Sequence, residues 1–173
     1  MKGFKIAVAT SDKADVILFG KDIKPEFDTG VVVDEEKSLI ESVEVFLDTI
    51  DDNVMQKSGG MLAKIVIKGK IPENRELASK FKKFSEWARD NSSESQNRDI
   101  CIGIKADDNN FQCVYYIKKV FVVDYREVYV LDGAKKDGAY DRFELYLTQV
   151  QDNMDKFEIF GDWPSEFDGV RKG

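Results

Sequence analysis

From Phe111 to Leu131 the chain runs as one β-prone stretch in which apolar residues occupy both parities. Phe111, Tyr115, Ile117, Phe121 and Val123 fall on one, and Val114, Tyr116, Val120 and Val122 on the other. Successive side chains of a strand point to opposite faces. A strand carrying both sets therefore needs two dry environments, where an ordinary half-wet sheet offers one. The stretch is also longer than a usual strand, and Lys118-Lys119 interrupts it, which predicts a bend or a break there. A fold for this chain must give the ribbon a core on one side and either more of the protein or a second molecule on the other.

The remaining segments are mostly strands too. Phe4 to Ala9 alternates large with small or polar residues, the period of a half-buried strand. Val16–Phe19 is a short apolar run closed by Gly20, and Val31–Val33 follows Thr29-Gly30 with β-branched residues that favour the pleated state. The second half of Ser38–Thr49 places Val43, Val45 and Leu47 on one face, with Glu44, Phe46 and Asp48 on the other. Between Met61 and Ile71 the apolar face is Ala63, Ile65 and Ile67, and only Val66 interrupts the lysines opposite. Ile100–Ala106 and Phe111–Ile117 flank Asp107-Asp108-Asn109-Asn110, which predicts an antiparallel hairpin. Arg142–Thr148 and Phe157–Phe160 complete a set of about nine strands, with a turn region at Asp132–Gly138.

One segment is helical. Leu77, Phe81, Phe84 and Trp87 recur at helical spacing, after Pro72 and a capping Asn74, which predicts a helix over about 74–90 with one apolar stripe. Asp51-Asp52-Asn53 and Lys57-Ser58-Gly59-Gly60 bracket Val54-Met55-Gln56, the composition of a protruding loop or hairpin at 51–60. Asp162 to Gly173 reads as a polar, loosely held tail. The fold class is mainly β: a single domain over 1–161, an antiparallel β-barrel or closed sandwich that hides its strand edges, with one inserted α-helix.

Composition closes off several functions. The 173 residues contain no histidine and only two cysteines, so Ser-His-Asp or Cys-His catalysis, His-ligated zinc and a Cys₄ site are out of reach of one chain. A net charge of −7 argues against phosphate-backbone binding and nucleic-acid readout. No apolar run approaches the ~20 residues that span a bilayer. The start runs straight into strand pattern, so the expectation is cytoplasmic synthesis without a signal peptide.

Each polar constellation has a plain structural reading. Asp107–Asn110 lacks the spaced ligands and closing Glu of a calcium loop, and reads as a turn. Ser58-Gly59-Gly60 lacks the GK[ST] ending and following helix of a phosphate loop, and reads as flexibility. Cys101 and Cys113, six residues either side of Asp107, are expected as reduced, core-filling thiols close across the hairpin. The helix stripe reads as core packing, and the tyrosines as strand formers and interface anchors rather than a base-stacking platform. No catalytic residue, metal or cofactor is assigned.

The element order resembles one known family. Strand Ala63–Ile71, helix Asn74–Asp90, hairpin Ile100–Ile117, the long bent strand through Tyr129, then Phe143–Val150 and Phe157–Phe160 are similar to the haemolysin-coregulated protein (Hcp) of type VI secretion and the tail-tube proteins of contractile phages. The resemblance covers about residues 35–160. It implies a small barrel with one helix on its side, six copies closing into a ring, and rings stacking into a tube. The matching inter-ring loop would be 51–60. On this reading the function is structural and not enzymatic. Candidate subunit-interface residues are Asp52, Val54, Met55, Gly59 and Gly60 in the loop and Tyr116, Val120 and Val122 on the ribbon. Partners would be further copies of the chain, with sheath or effector proteins beyond them, in a virion or injection particle. The alternative from another class is a monomeric barrel holding a small apolar or aromatic ligand inside. A weaker third reading, a hydrolase using two carboxylates, finds no converging pair.

Overall fold

The computed structural model describes residues 3–19, 39–49, 61–73, 75–92, 95–107, 110–150 and 157–167. The strands in chain order are β1 (Gly3–Ala9), β2 (Val16–Phe19), β3 (Ile40–Thr49), β4 (Met61–Lys70), β5 (Arg98–Lys105), β6 (Phe111–Val128), β7 (Arg142–Gln149) and β8 (Phe157–Phe160). Helix α1 (Arg75–Arg89) lies between β4 and β5, a single helical turn occupies Asp132–Lys135, and a 3-10 turn spans Ser165–Phe167. The expected strand at Val31–Val33, the Asn74 cap and the 51–60 loop lie outside the described residues.

All eight strands belong to one sheet, ordered β2-β1-β5-β6-β7-β4-β3, with β8 also paired to β6. Every described pairing is antiparallel. Laid flat, seven strands at ~4.8 Å spacing would be ~29 Å wide, while a helix is only ~10 Å across. Yet inward residues from β1 through β7 share one core cluster with Phe81, Phe84 and Trp87 of α1. The sheet must therefore curl around that helix stripe. The expected mainly β architecture with one inserted helix is present. Among the described residues no ladder joins β2 to β3.

The core is dense with rings. Phe81 packs on Phe143 at 4.7 Å between centroids, and Phe84 meets both Phe143 and Tyr125. Edge and tilted ring contacts of this kind add to the area term. Trp87 is fully buried and donates its indole N–H to the Gln96 carbonyl at 2.7 Å. These side chains fill the interior that a ligand-binding barrel would keep open.

β6 is the organising strand. Its first half pairs with β5 on one edge and with β8 on the other, and its second half pairs with β7. The changeover falls at Lys118-Lys119, where two β6 residues oppose the single Asp99 of β5. That is a β-bulge, and Lys119 takes the left-handed backbone (φ 59°) that lets the strand bend. The predicted bend is therefore real, and it has a consequence for parity. Ile117 before the bulge and Val120 after it both face the main core. A second irregularity between Val122 and Asp124 restores the original phase, so that Tyr125 packs inward again. Much of the two-parity pattern is thus one apolar face carried across two shifts.

Candidate functional site

The outer face of β6 differs on the two sides of the bulge. On the first side, Val114 and Tyr116 join Ala7, Ala9 and Cys101 in a second cluster closed over by Phe167. Tyr116 sits 6.0 Å from Phe160 and 5.1 Å from Phe167, ring to ring, and is only 5% exposed. Trp163 stacks on Phe111 at 5.9 Å. The slot for this pair is Gly103, where a Cβ would stand 2.5 Å from the Phe111 ring and 3.2 Å from Trp163. Residues 162–167, expected as loose tail, are therefore a lid of the chain's own making. Burial pushes the Cys101 thiol up to about 12, with Lys5 opposing, and the same cause raises the Tyr116 hydroxyl, with Asp99 adding to it.

The bulge itself is held by Asp99, which is 4% exposed. Its carboxylate accepts from Lys13 Nζ at 2.7 Å and from the Lys119 backbone N–H at 3.1 Å. Lys13, like Lys119, has a left-handed backbone (φ 60°), so one carboxylate steadies two strained positions. Buried Gln149 adds a stitch, accepting from the Ala63 N–H and donating to the Lys118 carbonyl at 3.2 Å. The feature is a structural clasp; among the described residues no group of three His, Cys, Asp or Glu side chains is placed to hold a metal.

Past the bulge no such lid is present among the described residues. The register puts Phe121, Thr148, Lys64 and Phe46 in one row across β6-β7-β4-β3, and Asp124, Tyr146, Val66 and Glu44 in the next. Val123, in the second irregularity, is 62% exposed, and Phe46 39%. The third row is ionic, with Glu144 3.7 Å from both Lys68 and Arg126. This face ends at β3, a ten-residue strand with no neighbour on its far side among the described residues. The face therefore mixes exposed apolar residues, Phe46 and Val123, with charged ones, and lies beside a long strand edge.

The ribbon residues expected at a subunit interface are placed differently. Tyr116 lies beneath the chain's own Phe160 and Phe167, and Val120 and Val122 turn inward to the main core. Counting parity put them on one face; the bulge separates them. Asp52, Val54, Met55, Gly59 and Gly60 lie outside the described residues. Cys101 and Cys113 are both free, but they are not neighbours across the hairpin: Cys101 opposes Tyr116, and Cys113 opposes Ile104. The residues that sequence reasoning passed over are Trp163 and Phe167, whose only signal is two large aromatic rings in an otherwise polar stretch.

Neither a protein-family model nor a curated protein sequence matches the chain. Solved structures do. Hcp1 from E. coli EAEC 042 aligns over 93% of this chain and 99% of its own, with 11% identity and a TM-score of 0.51. Weaker similarity extends to a chain of the PVC sheath-tube complex, an extracellular contractile injection system in its extended state (13% identity, 94% and 90% covered, TM-score 0.48). Hcp1 from Salmonella typhimurium aligns at 11% identity, 84% and 81% covered, with a TM-score of 0.46. The chain has the fold of Hcp1.

Proposed function

We propose that this chain, built on the fold of Hcp1, is a non-enzymatic tube subunit whose copies close into hexameric rings and stack. The observation that carries the reading is the outer face of β6-β7-β4-β3, which among the described residues has no cover and ends at an unpaired β3 edge. A heterologous contact repeated by rotation gives each copy a neighbour for that edge without leaving two open ends. On this reading segment 51–60, with Asp52, Val54, Met55, Gly59 and Gly60, which follows β3 in the sequence, makes the contact to the next ring. Sheath or effector proteins are the further partners, and an injection particle or virion is the setting.

The test is the assembled state. Sedimentation and negative-stain microscopy are expected to give rings with a central hole, and stacks as concentration rises. Deleting 51–60 is expected to leave rings intact while abolishing stacks. Monomers alone at high protein concentration would overturn the proposal, and a deletion that unfolds the domain would overturn the loop's role.

A further inference from the structure

Charge on this chain is divided between two elements on opposite faces of the same strands. The chain as a whole carries −7. Helix α1 runs against that balance, with five cations, Arg75, Lys80, Lys82, Lys83 and Arg89, and two carboxylates, Glu76 and Glu86. Arg75, Lys82, Lys83 and Arg89 are exposed. The segment Phe157–Phe167 has the opposite character: Glu158, Asp162 and Glu166 with no cation. All three carboxylate residues are exposed, beside Ile159 at 62% and Phe160 at 36% exposure.

The helix stripe and the Phe167 end of the segment lie on opposite faces of the same strands. The α1 stripe packs on the face of β1, β5 and β6 that carries Ile6, Ile102 and Ile117. Phe167 packs on the other face of those strands, against Ala7, Cys101 and Val114. Resting on the tube reading, we infer that α1 of one copy docks on the β8 and 3-10 segment of the next. The lysine side chains lay their methylene stems over Phe160, and their ammonium groups meet Glu158, on the same face of β8, and Asp162 beyond it. The contact is head-to-tail, because donor and acceptor surfaces are different parts of the chain, and such a contact propagates into a ring when its rotation closes. The internal pairs on the helix do not compete strongly: Lys82 reaches Glu86 only at 4.0 Å and Lys83 reaches Asp15 at 3.8 Å, all exposed.

The test uses two charge-reversed full-length chains, Lys82→Glu/Lys83→Glu and Glu158→Lys/Asp162→Lys. These positions are exposed, so both chains are expected to keep the wild-type circular dichroism and urea midpoint. Each alone is expected to raise the half-assembly concentration by about tenfold or more. An equimolar mixture is expected to return to within about threefold of wild type, since reversed helices then alternate with reversed tail segments around an even-numbered ring. Raising NaCl from about 0.05 to 0.5 M is expected to weaken wild-type assembly about tenfold. Wild-type rings that ignore salt and both reversals would overturn the inference and leave the tube reading standing. So would reversals that weaken assembly without rescue on mixing. Wild-type chains that form no oligomer would overturn both.

Discussion

The two halves of β6 share a strand, a core and nearly the same apolar content, yet among the described residues only one of them is covered by its own chain. Before the bulge, Val114 and Tyr116 lie beneath Phe160 and Phe167. After it, Phe121 is half-buried and Val123 stands 62% exposed. Hydrophobicity read along the strand does not separate a covered face from an exposed one. What separates them is the Lys118-Lys119 bulge, where β6 hands its edge from β8 to β7. β8 leads directly into the lid residues, whereas β7 and the strands beyond it lead to β3, whose far edge has no partner among the described residues.

The largest effect should come from opening the covered half. Phe167 is fully buried at the centre of the outer cluster, so Phe167→Ala is expected to cost about 3–5 kcal/mol in urea unfolding. It should also admit reagent to Cys101, a fully buried thiol held near 12 in the intact protein. In a Cys113→Ser background, alkylation of Cys101 is expected to be slow in the parent and fast in the variant. If stability falls by less than about 1 kcal/mol and Cys101 stays protected, the lid is incidental and the contrast between the halves fails.

The open half should behave the other way round. Val123→Asp changes an exposed side chain, so monomer stability is expected to move by no more than about 0.5 kcal/mol. A carboxylate placed in an apolar contact must be desolvated to assemble, and the half-assembly concentration is expected to rise by about tenfold or more. Sedimentation profiles and a urea titration of the same preparation separate the two quantities. A loss of stability without a loss of assembly would mean that Val123 serves the fold rather than a neighbour.

The regular parts of this contrast are legible in the sequence and the irregular parts are not. Ala63, Ile65 and Ile67 alternate as written and are fully buried, and Phe81, Phe84 and Trp87 hold their helical spacing into the core. Lys118-Lys119 marks the bend because two charged residues break an apolar run. What no periodicity carries is the sign of the shift there. A left-handed backbone at a lysine, held by an aspartate twenty residues earlier, is a tertiary choice, and it reassigns the residues from Val120 to Val122. The same shift divides Tyr116 from Val120, while the hairpin's own register, with an irregularity between Ile104 and Lys105, pairs Cys101 with Tyr116 and Cys113 with Ile104. The lid was hidden for a related reason: Trp163 and Phe167 sit in a short segment with a proline between them, too brief to show either a strand or a helix period.

The smallest effect distinguishes the two ends of β6 by proton linkage. Burial first, then Asp99, raises Tyr116 above the ordinary phenol value near 10. Burial and the hydrogen bond to Glu127 raise Tyr129 to about 12. In the unfolded chain both phenols lose their protons near pH 10, while the folded chain retains them. The unfolded state therefore binds fewer protons above that point, and stability falls as pH rises. Below pH 9 neither group contributes any slope. Tyr116→Phe removes the ionisation while keeping the ring beneath Phe167, so the loss of stability between pH 9 and 11 is expected to become shallower. Tyr129 is 64% exposed, and solvent screening leaves its phenol a weaker lever, so Tyr129→Phe is expected to change that slope less. Urea midpoints at pH 8, 9, 10 and 11 for the parent and both variants give the comparison. Equal slopes for the two variants would mean that the lid does not keep water from Tyr116, and the first half of β6 would then be no more covered than the second.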